Sequence, residues 1–238
     1  MFSRVLGASL LASSVLLGAC SNNDNNGTNP TSTATVQVVN ASSGNLDIGT
    51  GGTYSTANTN LGFGTAASCM TVNTASPNLT FRQNGTTTTI GGFTPNFTAG
   101  GNYTVVVSGS PGNYRVQQYQ NTFPSLTSTQ GAVRVINAST STQGYDVYFT
   151  PSGGTMTTAN STNLTSNGST SFLPLTAGTT QFRLTNTGGT STVAYNSANN
   201  TGSGGNLNLT AGGRSIFVVA DPATGTTGLR AFNVNACQ

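Results

Sequence analysis

Val36-Gln-Val-Val-Asn-Ala-Ser42 and Val133-Arg-Val-Ile-Asn-Ala-Ser139 are two versions of one heptapeptide, and their recurrence decides how the chain is read. Working outward, Leu46-Asp47-Ile48 is matched by Tyr145-Asp146-Val147, and the Phe81-Arg82 pair by Phe182-Arg183. Thr98-Ala-Gly-Gly101 ahead of Tyr103 to Val107 is matched by Thr210-Ala-Gly-Gly213 ahead of Ile216 to Val219. Tyr114-Arg115-Val116 then finds its counterpart in Leu229-Arg230-Ala231. Five blocks in one order predict a tandem duplication. The separation of the copies grows from 97 residues at the heptapeptide to 112 at the Gly-Gly block. The extra residues fall in Asn-, Ser- and Gly-rich stretches around 163–170 and 188–206, a composition suited to exposed loop tips.

Each unit is about 100 residues long, the size of an immunoglobulin-like sandwich. Val36, Val38 and Ala41, their counterparts Val133, Val135 and Ala138, and the pair Phe182 and Leu184 suggest a period of two, and no helical periodicity follows residue 20. Thr, Val, Phe and Tyr suit pleated, half-buried positions, while Asn-Gly, Gly-Gly and Ser-Gly pairs punctuate the runs. The Thr-Ala-Gly-Gly segments read as tight turns ahead of each unit's most apolar strand, one Gly supplying positive φ and the next admitting a close backbone. The expected fold is all-β: two tandem immunoglobulin-like antiparallel β-sandwiches, with Thr, Ser, Asn, Gln and Gly on the exposed half of each strand.

Met1-Phe-Ser-Arg4 is a short positive segment, and Val5 to Leu17 an apolar run too short for a permanent span. It ends in Leu17-Gly18-Ala19-Cys20, which resembles the bacterial lipobox, in which the cysteine becomes the acylated N-terminus. By that resemblance Cys20 is the lipidation site, carrying palmitate-type chains, and two or more chains suffice for stable anchoring. Ser21, where an Asp would signal inner-membrane retention, implies the outer membrane. Residues 21–35 contain one apolar residue, Ala34, and read as a flexible tether. The expected organisation is a signal peptide over 1–19, the lipidated Cys and linker over 20–34, and sandwiches over 35–130 and 131–238.

Of the 238 residues 34% are hydrophobic and only 5% are charged, every base being Arg and every acid Asp. Without Lys, Glu, His or Trp, the usual general bases and most metal ligands are missing, so no catalytic residue, metal site or cofactor is expected. A Ser triad fails for want of His, and Ser-Lys variants for want of Lys. Gly-rich stretches such as 49–52 and 202–205 lack a following Lys-Ser/Thr and a helix, and read as turns. The net charge of +3 falls to +2 once Arg4 is removed, and the Arg residues are scattered singly, which argues against nucleic acid.

The opening V-x-V-x-N-A-S, the aspartate that follows, the Phe-Arg strand and the A-G-G strand together resemble the domain of unknown function 4397 family, over Thr35 to Gln238 in two copies. The resemblance implies a bacterial, secreted or lipid-anchored protein, often in tandem, with no established activity. Asn-Ala-Ser stands here in both copies where the family usually has His-Ala-Ser.

With Cys20 assigned to the anchor, Cys69 and Cys237 remain, and one disulfide between them is the simplest pairing in an exported chain. An intermolecular bridge or two inert thiols are the alternatives. The pairing would bind the end of the second unit to the first and could stabilise the fold by up to about 5 kcal/mol. Asp47 and Asp146 hold equivalent places, as do Arg82 and Arg183, and Arg115 and Arg230. Each Asp is expected to pair locally with one of its two Arg or with backbone amides. One Asp per unit is poor material for Ca²⁺. Tyr114, Tyr119, Tyr145 and Tyr148 are expected mostly in cores or between units. The functional expectation is a non-enzymatic envelope lipoprotein with a structural or interaction role, its partners the membrane and an envelope protein or glycan. A glycan-binding surface adhesin is the alternative.

Overall fold

The computed structural model describes residues 32–190, 192–199, 206–222 and 227–238, so the lipobox-like segment and Cys20 lie outside the described residues. The first half contains β1 (Thr33–Ser42), β2 (Leu46–Thr50), β3 (Thr53–Tyr54), β4 (Met70–Asn73), β5 (Leu79–Gln83), β6 (Asn102–Ser110) and β7 (Asn113–Gln120). The second contains β8 (Gln130–Asn137), β9 (Tyr145–Pro151), β10 (Ser161–Leu164), β11 (Leu173–Thr176), β12 (Gly178–Asn186), β13 (Val193–Asn196), β14 (Leu207–Leu209), β15 (Arg214–Ala220) and β16 (Arg230–Asn235). The helical turns among the described residues are two short 3₁₀ turns, Thr56–Asn58 and Ser197–Asn199. The chain is all-β.

One sheet of the first half has the order β4-β1-β6-β7, and one of the second half has the order β11-β8-β15-β16. The pairings match in sense as well, antiparallel at both edges and parallel in the middle. A smaller sheet, β3-β2-β5, completes the first half, and β10-β9-β12-β13, with β14 on β12, completes the second. The parallel central pairs correct the expectation of purely antiparallel sheets. Between β1 and β6, and between β8 and β15, the chain crosses to the other sheet and returns, so the two strands run the same way.

Val36, Val38, Val105 and Val107 pack against Leu46, Ile48 and Phe81 to fill the first half. Val133, Val135, Phe217 and Val219 pack against Val147, Phe149, Phe182 and Leu184 to fill the second. A third core lies between the halves. Val39, Ala41, Val106 and Tyr119 meet Ala132, Ile136, Ala138, Phe172, Ile216, Val218 and Phe232 there. The sheets β4-β1-β6-β7 and β11-β8-β15-β16 are therefore inner layers, their central strands buried on both faces, and the other two sheets are outer ones; Ser32–Gln238 form one compact unit.

That layering overturns two expectations. The period of two does not reach Ala41, which shares a face with Val39 and not with Val38. Nor is the second face of the central strands a polar, exposed one. Double burial requires near-continuous apolar runs, and Val105-Val-Val107 and Ile216-Phe-Val-Val219 supply them.

The turns follow glycine. In each Thr-Ala-Gly-Gly segment the second Gly donates its N–H to the Thr carbonyl at 3.0 Å, closing the turn. The first Gly of each pair sits at positive φ, 73° at Gly100 and 75° at Gly212. A Cβ at Gly213 would press on the Thr210 hydroxyl and carbonyl, so a side chain there would force the turn to shift.

Candidate functional site

The heptapeptide is a folding device. Asn40 and Asn137 are fully buried at the ends of β1 and β8. Asn40 Nδ2 donates to the Leu61 carbonyl at 2.7 Å, and Asn137 Nδ2 to the Leu164 carbonyl at 3.1 Å. Each Asn Oδ1 accepts from the amide and hydroxyl of the Ser two residues on, Ser42 or Ser139. Buried amide groups must be matched in this way or they destabilise the fold.

The repeated aspartates serve a related purpose. Asn60 and Asn163 adopt left-handed backbone, φ 56° and 53°. Asp47 Oδ1 accepts the Asn60 N–H at 2.9 Å, and Asp146 Oδ1 the Asn163 N–H at 2.9 Å. The second oxygens differ. Asp47 Oδ2 takes the Arg82 Nε–H at 2.9 Å, with Asn84 Nδ2 on Oδ1 at 2.8 Å. Asp146 Oδ2 takes the Gly188 N–H at 3.0 Å. Burial pushes the Asp47 carboxyl up, but hydrogen bonds from Asn60, Asn84 and Arg82 outweigh it and hold the group below the usual aspartate range.

Register explains the asymmetry. Arg82 lies opposite Asp47, whereas Thr185 lies opposite Asp146, and Arg183 is two residues away, opposite Tyr148. The two Phe-Arg pairs are thus out of register with each other relative to the aspartates. Arg183 Nη2 donates instead to the Thr150 hydroxyl and the Gly154 carbonyl.

Arg115 and Arg230 are structurally equivalent, facing Ser108 and Ala220 in their hairpins. They do not reach the aspartates of β2 and β9. Both turn to Asp221 where the halves meet, Arg115 Nη2 at 4.0 Å from Oδ2 and Arg230 Nε donating to the backbone carbonyl at 2.9 Å. Arg115 also donates to the Ala138 carbonyl at 3.3 Å, and Arg230 covers the Phe63 ring at 3.4 Å. Pairing with the aspartates of β2 and β9 is therefore replaced, for these two, by contacts at the junction. Asp221 itself accepts from the amide and hydroxyl of Thr140 at 2.7 and 3.0 Å.

Cys69 and Cys237 form a disulfide, Cα–Cα 5.9 Å, joining the first half to the C-terminal segment. Tyr119, Tyr145 and Tyr148 are buried, and Tyr119 donates its hydroxyl across the junction to the Asn167 carbonyl at 3.1 Å. Burial pushes that hydroxyl up to about 12, against the opposing pull of Arg134 and Arg115. Among the described residues no group of three or more His, Cys, Asp or Glu comes together, and no helix is long and apolar enough to cross a membrane.

An open groove of about 440 Å³ lies in the first half, walled by Gln83, Thr86, Thr88, Thr89, Asn113 and Tyr114 among others. It has no charged residue on its walls. Two features escaped the sequence reading, the groove itself and Arg134, a buried cation at the junction. The signal for Arg134 lay in the heptapeptide, where it replaces Gln37.

No curated protein matches the chain. Residues 34–148 match the model of the family described as a domain of unknown function (DUF4397), a stretch that takes in all seven strands of the first half and runs on through β8 into β9.

Proposed function

We propose that this chain is a non-enzymatic cell-envelope lipoprotein, anchored through acylated Cys20 and most at home on the outer membrane, whose folded part is two copies of one domain fused into a scaffold. The observation that carries the reading is the use made of the repeated carboxylates. Asp47 and Asp146 both hold a left-handed Asn amide, so the groups best able to do acid/base chemistry are occupied in maintaining loop shape. The second half counts as a second copy because it repeats the sheet order, the Asn–Ser bonds and the Asp–Asn bond of the first. Labelled palmitate should enter the wild-type protein and not Cys20→Ser, and wild type should sediment with outer-membrane vesicles through a 1 M salt wash. Release of the wild type by salt would contradict anchoring.

The uncharged groove favours a second reading, a module that binds neutral glycan. Hydroxyl and amide walls beside one Tyr ring match the hydrogen-bonding edges and apolar faces of a sugar. Glycan-array binding that is lost in Thr88→Arg, with the fold intact by circular dichroism, would establish it; equal binding by both proteins would end it.

A further inference from the structure

Within the heptapeptide, the copies differ in charge at one place. The first has Gln37 and the second Arg134, and both are buried, 7% and 9% exposed. Arg134 sits where β7, the connection to β8 and the segment before β11 converge. Its Nε donates to the Thr170 carbonyl at 3.0 Å, and Nη1 to the Gln120 carbonyl at 2.6 Å and Asn121 Oδ1 at 3.0 Å. Nη2 donates to Ser169 Oγ at 2.7 Å. The rings of Tyr119 and Phe172 lie 5.6 and 5.9 Å from the guanidinium carbon.

Every one of those acceptors is neutral. The side-chain carboxylates among the described residues are engaged elsewhere, Asp47 with Arg82, Asp146 with Asn163 and Gly188, and Asp221 with Thr140 and Arg115. Burial lowers the affinity of Arg134 for its proton, yet a guanidinium keeps its charge in proteins. A buried cation without a counter-ion carries a desolvation cost that neutral acceptors offset only in part. The guanidinium is also not sealed in. It forms one wall of a cavity of about 210 Å³ whose other walls are Gln120, Thr122, Ser169, Thr170, Ser171 and Phe172. Four of its five N–H groups are engaged by these bonds, and the remaining one belongs to Nη2, the nitrogen already bonded to the cavity-wall residue Ser169.

We propose that this cavity is an oxyanion site, taking one carboxylate or sulfate group against Arg134, with the hydroxyl side chains of its walls as further donors. The anion completes the charge balance at the junction, so its binding tightens the contact between β7 and β8. A free inorganic anion and the acidic group of a polysaccharide present the same chemistry to the site.

The test uses the mature full-length protein and titration calorimetry with sodium sulfate and sodium acetate, at ionic strength held constant with sodium chloride. Saturable binding is expected, with a loss of at least about tenfold in affinity in Arg134→Gln, which restores the residue of the first copy. Should that variant not fold, Ser169→Asp carries the test. Its carboxylate faces Nη2, so it should raise the melting temperature and abolish anion binding. Sulfate stabilises folded proteins in general, so a melting-temperature rise that does not saturate and persists in Ser169→Asp overturns the proposal. Absence of measurable heat with either anion overturns it too. Polygalacturonate and dextran distinguish the sources. Retention of polygalacturonate alone, lost in Ser169→Asp, supports the site with an acidic glycan as its ligand. Saturable sulfate binding without polygalacturonate retention supports it with a free anion.

Discussion

The two halves place the same Asp against the same left-handed Asn and then diverge. In the first half the second carboxylate oxygen faces Arg82; in the second it faces the Gly188 amide. The bond that both halves keep is the one to backbone, because a left-handed loop leaves an amide that needs a partner wherever the chain makes that turn. The partner of the other oxygen is interchangeable, since any good donor satisfies it. Gln37 and Arg134 show the same division. Their place in the strand is fixed by the sheet, and what each side chain does depends on the neighbours at the junction.

The largest way to break the symmetry is through the aromatic core of the second half. Phe182 is fully buried, with Phe149, Phe217 and Tyr195 within 5.6 Å centroid to centroid. Phe182→Ala should cost about 3–5 kcal/mol in urea unfolding. Because the third core joins the halves, that loss should appear as one shifted transition and not as an early transition of the second half alone.

Removing the disulfide with Cys69→Ser and Cys237→Ser should cost about 2–4 kcal/mol, read from the same urea curves. A change under about 0.5 kcal/mol would mean that the link is incidental to stability.

Asp47 offers a sharper contrast. Its folded pKa lies below the unfolded one, so its contribution is whole above about pH 4 and is lost as pH falls through the lower folded value. Asp47→Asn should cost about 2 kcal/mol at pH 7 and flatten the acid limb of stability against pH. An unchanged acid limb would show that other groups set it. The smallest effect belongs to Arg82, which covers the Tyr54 ring at 3.9 Å and is partly exposed. Arg82→Thr puts in the first half the residue type that faces Asp146 in the second, and should cost about 1 kcal/mol or less.

The correspondence between the halves was legible because strand and turn residues are constrained by backbone geometry. Asn-Ala-Ser, Asp47 with Asp146, and the two Gly-Gly turns all hold equivalent places in the structure. The third core was less legible. A strand buried on both faces and one buried on a single face differ only at alternate positions, and Val39, Val106, Ile136 and Ile216 were those positions. The parallel central pairs were hidden because the heptapeptide and the Gly-Gly strand say nothing of direction. Arg183 misled because adjacent Phe and Arg matched in sequence while the strand had slipped by two residues against β9. Asp221 beside Arg115 and the Phe63 ring under Arg230 lie across a junction that no local spacing encodes.

That junction joins two halves of like sheet order through the core between their inner sheets. Differential scanning calorimetry of the chain carrying both Cys69→Ser and Cys237→Ser tests most directly whether the halves unfold as one cooperative body, since the peptide connection between β7 and β8 is then the remaining covalent link between them. A single transition is expected, with calorimetric and van't Hoff enthalpies that agree. Two resolved transitions, each with about half the heat, would contradict it.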